Sequence, residues 1–313
     1  MDLSNNENIP IQTLSENLHD NLFYMMRDDL YPISFGGNKT RKAMLFFEDL
    51  EQKKSDCVIT YGSSSSNHCR IIANIAASKG IPCHIVSPKE SNSPTANSKM
   101  MKIFGASITE CSVSEVSTTI EQKMYDLRKK GFKPYFIQGG GHGNLGTHAY
   151  VKAYEEILKY EKEKNIYFDY IFHTSGTGTT QAGLVCGKLL HGDNRNIVGI
   201  SNARKNPHGG NVVRESVKSY LKDYNIPIND VDINFIDNYV LEGYGSYNDK
   251  ILKTIKKVLI NDGIPMDVTY TGKAFWGMKE FINNNDISDK NILFIHTGGT
   301  PLFFDRLEEL TDE

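Results

Sequence analysis

From about residue 55 the chain alternates short apolar runs with longer stretches whose apolar positions recur every three or four residues. Cys57-Val58-Ile59-Thr60 shows no polar alternation, so it reads as a strand covered on both faces, and an amphipathic helix over 67–79 follows, closed by Gly80. The cycle repeats with the strand Cys83-His84-Ile85-Val86, a helix over 95–104 and Gly105, then with Ser107-Ile108-Thr109, a charged helix over 114–130 and Gly131. Each of these glycines stands where a helix end favours a left-handed residue. Tyr135-Phe136-Ile137 is a further strand, and a long helix spans 144–164. A second series has strands at Tyr170-Ile171-Phe172-His173, Ile197-Val198-Gly199-Ile200 and 291–295, with helices over 179–190, 210–222, 249–261 and 272–284. Strand–helix alternation predicts parallel sheets with helices on both faces. Two series predict an α/β protein of two lobes, divided near residue 145, with a ligand cleft between them.

Composition narrows the class. The chain has 313 residues, 39% hydrophobic and 23% charged, which excludes a disordered or fibrous chain and leaves room for two cores. Thirty-five basic against 38 acidic residues leave a net charge of −3, so no global field favours nucleic acid or a membrane surface. No apolar run approaches the roughly 20 residues of a membrane span. The opening eight residues lack the basic start and apolar stretch of a secretory signal, and the expectation is a cytoplasmic protein. Five cysteines, with no C-x-x-C spacing, argue against a disulfide framework and a zinc site.

Three segments carry chemistry. Ser175-Gly176-Thr177-Gly178-Thr179-Thr180-Gln181-Ala182-Gly183 joins a predicted strand to a predicted helix. Its glycines allow a sharp turn and its hydroxyls and free N–H groups suit an anion. With no Walker lysine and no G-x-G-x-x-G, a small monophosphate fits better than a nucleotide; a tight turn without ligand is the plainer alternative. Gly36-Gly37-Asn38-Lys39-Thr40-Arg41-Lys42 precedes the apolar Ala43-Met44-Leu45-Phe46-Phe47. Lys39 is either a nucleophile whose pKa is lowered by neighbouring positive charge, or a surface lysine. Gly62-Ser63-Ser64-Ser65-Ser66-Asn67-His68 suits a carboxylate or an aromatic hydroxyl, or is a serine N-cap on a solvated loop.

Together these segments resemble the fold-type II pyridoxal-phosphate enzymes, in the branch of D-cysteine desulfhydrase and 1-aminocyclopropane-1-carboxylate (ACC) deaminase. The likeness begins at Arg27-Asp28-Asp29-Leu30 and Gly36 to Lys42, and passes through Ser66-Asn67-His68 and Gly139-Gly140-Gly141. It continues through Thr177 to Gly183, Gly243-Tyr244-Gly245 and Tyr270-Thr271-Gly272-Lys273-Ala274, and ends at His296-Thr297-Gly298-Gly299. The resemblance implies pyridoxal 5′-phosphate between two lobes, 1–42 with 145–313 forming the larger cofactor-binding one and 43–144 the smaller. It implies that Lys39 holds the cofactor covalently and moves the substrate's α-proton. Asn67 would bind the ring hydroxyl, Ser66 the substrate carboxylate, and Thr177, Gly178, Thr179 and Thr180 the phosphate. Tyr244 and Tyr270 would flank a small amino-acid substrate as acid–base or nucleophilic groups, with His68 and Lys42 nearby. A homodimer is implied as well.

Within the branch, ACC deaminases resemble Tyr-Glu-Gly-Lys and His-Leu-Gly-Gly where this chain has Tyr270-Thr271-Gly272-Lys273 and His296-Thr297-Gly298-Gly299. A hydroxyl such as that of Thr297 can donate to the ring nitrogen without supplying a full proton, so the ring is a weaker electron sink. That favours α,β-elimination from an amino acid with a good β-leaving group, giving a 2-oxo acid and ammonia. β-Replacement, ACC deamination and a non-catalytic cofactor-binding protein are the alternatives. Ser63 and Ser65 depart from the branch's Gly-Gly-x-Gln before Ser-Asn-His, and Gln138 and Gly141 stand where proline and serine are common, so a specialised amino-acid substrate is implied.

Overall fold

The computed structural model describes residues 9–91, 93–224, 226 and 231–311; the first eight residues, which carry the reading of a missing signal, lie outside them. In chain order the elements are β1 (Ile11–Thr13), β2 (Leu22–Met26), α1 (Asn38–Gln52), β3 (Cys57–Tyr61), α2 (Asn67–Ser78), β4 (Cys83–Pro88), α3 (Ala96–Ile103), β5 (Ser107–Cys111), α4 (Val116–Lys129) and β6 (Pro134–Phe136). Then come α5 (Asn144–Lys164), β7 (Tyr170–Ser175), α6 (Thr179–Leu190), β8 (Asn196–Ser201), α7 (His208–Leu221), β9 (Asn234–Ile236), α8 (Asp249–Asp262), α9 (Thr271–Asn284), β10 (Asn291–Ile295) and α10 (Thr300–Phe304). No described helix is long and apolar enough to cross a membrane.

Two sheets form. The smaller has the order β5-β4-β3-β6, every pair parallel. The larger runs β1-β2-β10-β7-β8-β9, parallel except for β1, which pairs antiparallel with β2 at the edge. The α/β class and the strands of both series agree with the sequence pattern. Three elements of the larger sheet do not appear in it: β1, β2 and β9. The helix expected from residue 114 has a 3-10 first turn, Val113–Glu115, before α4 begins.

Burial explains the order of strands. Ile171 and Phe172 of β7, Val198 and Ile200 of β8, and Leu293 and Phe294 of β10 are each at most 1% exposed. Full burial of such a side chain is worth roughly 1.5–3 kcal/mol, more than the ~1 kcal/mol span of strand propensity, so packing puts these strands mid-sheet. Against this sheet α5 lays Ala149, Tyr150, Ala153, Tyr154 and Ile157, an i, i+4 stripe, onto α6. The helices meet at Gly183, where a Cβ would stand 2.3 Å from the Thr147 carbonyl oxygen.

Arg27-Asp28-Asp29 form a buried ionic lattice. Arg27 grips Asp29 through Nε (2.9 Å) and Nη2 (2.7 Å). Asp28, with no exposed surface, accepts from Arg41 Nε at 2.9 Å and from the Tyr150 hydroxyl at 2.5 Å. Arg41 completes its fork on Glu156 at 2.7 and 2.8 Å. This lattice ties β2 and α1 to α5 and fixes the start of α1.

Candidate active site

The loops leaving the carboxyl ends of β3, β6, β7, β8 and β10 converge on one cavity of about 350 Å³, where open parallel sheets place ligands. Lys39, Ser66, Asn67, His68, Thr177, Tyr244, Tyr270 and Thr297 all line it, brought together from six separate stretches of sequence. Gly178, Thr179 and Thr180, which follow Thr177 into α6, are not among its lining residues.

Lys39 is the second residue of α1, and its Nζ donates to the Gly140 carbonyl at 3.0 Å. Burial without a charged partner lowers its pKa to about 8, so a large fraction of the amine is neutral near that pH. The turn before it requires glycine. Gly37 has φ +99°, and a Cβ there would lie 2.7 Å from the Thr297 carbonyl oxygen and 3.1 Å from Gly298 Cα. The Lys39 and Thr297 loops therefore pack backbone to backbone.

Ser66 is the N-cap of α2, its Oγ accepting from Cys69 N at 3.2 Å, which leaves its own proton to donate. Asn67 is oriented from behind. Its Oδ1 accepts from Asn97 Nδ2 (2.9 Å), and Asn97 Oδ1 accepts from Arg70 Nη1 (3.0 Å), so the Asn67 amide N–H group is left for the cavity. Asn97 spends its other proton on the Ser65 carbonyl at 2.8 Å. Thr60 donates its hydroxyl proton to the Ile137 carbonyl (2.8 Å), so His68 Nε2, 2.8 Å away, must be the donor to Thr60 Oγ1. That leaves His68 Nδ1 as an acceptor, buried at the cavity wall without a partner.

Tyr244 and Tyr270 meet edge to face with ring centroids 5.9 Å apart and their hydroxyls hydrogen-bonded. Tyr244 is 48% exposed and also touches Ser65 Oγ at 3.3 Å, which is 3.1 Å from Ser63 Oγ. Burial and the facing Tyr244 push the Tyr270 pKa well up, so its phenol keeps its proton. Two buried groups fix this pair. Asp267 Oδ2 accepts from Thr269 N and Tyr270 N, both at 2.9 Å, and Lys273 Nζ donates to the Val240 (3.1 Å) and Gly243 (3.0 Å) carbonyls, stapling the Tyr244 loop. The two threonines that set the chain apart from ACC deaminases part company here. Thr297 lines the cavity, whereas Thr271 donates to Asp267 Oδ1 at 3.0 Å.

At the turn into α6 the hydroxyls divide too. Thr179 Oγ1 accepts from Lys42 Nζ (2.8 Å) and donates to the Gly141 carbonyl (3.4 Å), whereas Thr180 Oγ1 accepts from Asn38 Nδ2 (3.1 Å) and keeps its own proton. What the turn presents is therefore Thr177, the Thr180 O–H and the backbone N–H groups of the first helical turn.

A family model for pyridoxal-phosphate-dependent enzymes matches residues 3–298. The chain belongs to that family. It is 31% identical to a D-cysteine desulfhydrase of Serratia proteamaculans (strain 568), covering 94% of this chain and 92% of that one. It is 30% identical to a D-cysteine desulfhydrase of Salmonella paratyphi A, covering 90% and 88%. The crystal structure of an ACC deaminase homologue superposes with a TM-score of 0.87 at 29% identity, over 97% of this chain and 93% of that one.

The cavity fits the family's cofactor on its own chemistry. Lys42 is 1% exposed, and no described carboxylate pairs with it; burial and the adjacent Lys39 push its pKa well down. A buried cation without a counter-ion is costly, and a phosphate at the start of α6 supplies one while accepting from free N–H groups. Lys39 supplies the amine for an aldehyde, and the Asn67 amide a donor for a ring oxygen.

Residues that the sequence reading did not single out also line this cavity, among them Asn202 and Arg204 just beyond β8. The carboxyl-end rule for parallel sheets is the signal that finds them: residues 202–204 follow a recognisable strand directly.

Histidines in and around the site make stability pH-dependent. Burial lowers the pKa of His173 to about 4, and those of His68 and His142 also fall, mainly through burial. Above about pH 6.5 these rings are neutral folded or unfolded and contribute nothing. Below it the unfolded chain takes up protons that the folded one refuses, so stability falls as pH drops from about 6.5 towards 4. The slope is up to about 1.4 kcal/mol per pH unit for each ring. Melting temperature is expected to fall between pH 7 and 5, and His173→Gln to flatten that fall; an unchanged profile would refute the assignment.

Proposed function

We propose that this chain is a pyridoxal-phosphate-dependent lyase that performs α,β-elimination on a small amino acid with a β-leaving group, D-cysteine or a close analogue. The observation that carries the reading is the Lys39 amine, with a pKa near 8, in one cavity with the hydrogen-bonded Tyr244–Tyr270 pair. An amine that is half neutral near pH 8 can remove a proton, and the Tyr270 phenol, held protonated, can give one.

When bound, pyridoxal phosphate withdraws electrons from the substrate's α-carbon and makes its C–H bond acidic. Lys39, Lys42 and the first turn of α6 would hold it, Asn67 would donate to its ring oxygen and the Thr297 hydroxyl would serve its ring nitrogen. Ser66 and the free N–H groups at the start of α2 take the substrate carboxylate. Lys39 Nζ accepts the α-proton, and the electron pair of that C–H bond expels the β-substituent. The tyrosine pair gives a proton to the departing thiolate or its equivalent. His68, whose bare Nδ1 can only accept, orients a donor on the ligand. The released enamine is hydrolysed by water to the 2-oxo acid and ammonia.

The larger lobe would comprise 1–42 and 145–313 and the smaller 43–144, a division supported by the two separate sheets. Five buried free thiols suit the reducing cytoplasm. Leu30, Phe35, Ile103 and Phe304, each more than half exposed, give apolar surface that a second copy would cover in a homodimer.

A screen of D- and L-amino acids with β-leaving groups, reading keto acid and ammonia with and without an added thiol, tests the reading. Stoichiometric keto acid and ammonia in both conditions are expected. Suppression of keto acid by the thiol would mean β-replacement, and ring opening of ACC with no elimination from any β-substituted amino acid would overturn the proposal.

A further inference from the structure

The cavity holds one positive charge that the mechanism does not use. Arg204 reaches it from the loop after β8, beside Asn202 and across from Tyr61 of the smaller lobe. Its Nη1 is buried and makes no hydrogen bond, and no described carboxylate lies within ion-pair distance of its guanidinium. Asn202, 4% exposed and lining the same wall, has a buried Oδ1 with no partner either. No aspartate or glutamate lines the cavity.

A count of charges shows what is missing. The cofactor's phosphate is answered by Lys42 and the start of α6, and the substrate's α-carboxylate by Ser66 and the start of α2. Lys39 acts as a neutral base. Arg204 then remains a partly desolvated guanidinium among neutral neighbours, a poor arrangement unless a ligand brings an anion. A guanidinium suits a carboxylate, sulfonate or phosphate oxygen, and the Asn202 amide N–H group can donate to the same anion. The bare Asn202 Oδ1, which can only accept, is left for a ligand N–H or O–H.

We propose that Arg204 and Asn202 form an anion-recognition subsite for the substrate's β-substituent, so that the preferred substrates are small amino acids whose leaving group is negatively charged. This rests on the lyase reading above. The elimination is the one already written: the C–H pair becomes the Cα=Cβ bond, and the anionic group departs with the charge it carried plus the pair of its own bond to Cβ.

The test is equilibrium binding to the holoenzyme of analogues that do not eliminate: alanine against aspartate and 2-amino-3-phosphonopropanoate, each in both hands. Charge-assisted hydrogen bonds predict that an anionic analogue binds about tenfold or more tighter than alanine of the same hand. Arg204→Gln is expected to bring that ratio close to one, and Arg204→Lys, which keeps the charge, to retain most of it. Cofactor content is measured on each variant. A wild-type ratio of one or below would overturn the subsite, as would a ratio that Arg204→Gln leaves unchanged. Loss of cofactor from Arg204→Gln would overturn it too, since Arg204 would then serve the cofactor's phosphate. Keto acid release from β-chloroalanine and O-phosphoserine separates the two claims. Release from the former with no preference for anionic analogues sinks the subsite alone, whereas release from neither sinks the lyase reading.

Discussion

Lys39→Ala is expected to lower turnover roughly a thousandfold or more, because the same amine anchors the cofactor and carries the α-proton. Two further readouts separate chemistry from damage. Borohydride reduction followed by intact-mass measurement should leave the cofactor attached to the wild-type chain and not to Lys39→Ala. Added methylamine should restore part of the lost rate, since a small amine can enter the space the side chain vacates; a misfolded protein would not respond. Measured on the cofactor-free chains, the melting curve should change little or improve, because what is removed there is a buried amine whose one hydrogen bond is to a carbonyl. Near-normal turnover by Lys39→Ala would end the assignment.

The legibility of this protein in its sequence follows the range of the interactions involved. Helix α5 was expected over 144–164 and forms over Asn144–Lys164, because its Ala149, Tyr150, Ala153, Tyr154, Ile157 stripe is a local pattern. Strand β10 is likewise a run of five residues with its own signature. Strand β2 is another matter. Leu22–Met26 owes its position to pairing with Asn291–Ile295 on the far side of the sequence, and no local window contains that partner. Strands of three residues, such as β1 and β9, are too short to show a period. In the site, resemblance pointed to Lys39, Asn67, Tyr244, Tyr270 and Thr297, which the fold brings to one cavity. It did not point to the groups that hold them. Asn97 lies 30 residues from the Asn67 it orients, and Asp267 reads as an ordinary loop aspartate until its carboxylate is seen accepting the Tyr270 N–H. Hydroxyls mislead in the opposite direction. Thr177, Thr179 and Thr180 are equivalent in the sequence, yet Lys42 and the Gly141 carbonyl take up Thr179, while Thr180, accepting from Asn38, keeps a proton to donate.

The same dependence on distant partners makes Asp28 the most consequential residue outside the cavity. Asp28→Ala removes the acceptor of both Arg41 Nε and the Tyr150 hydroxyl, two groups at or near full burial. Breaking one side of a buried ion pair costs about 3–5 kcal/mol, because the remaining charge is stranded. Here Arg41 keeps Glu156, whose side chain is 37% exposed, so the lower end of that range applies. Arg41 is held charged all the same: burial opposes its charge, but Asp28 and Glu156 together raise its pKa well above the usual arginine value. With Asp28 gone, Glu156 still faces the guanidinium, and a guanidinium does not give up its proton in a protein, so the loss is not relieved that way. A loss of about 3 kcal/mol should lower the melting temperature by roughly 5–10 °C for a chain of this size. Activity should fall beyond what unfolding explains, since Gly37 N donates to the Asp28 carbonyl at 2.6 Å and the Lys39 turn hangs from this lattice. Adding Arg41→Met to Asp28→Ala removes the stranded charge and should recover part of the stability, though not the activity. If the double variant melts below the single one, the cost lies in lost packing around α1 and the electrostatic account of this lattice is wrong.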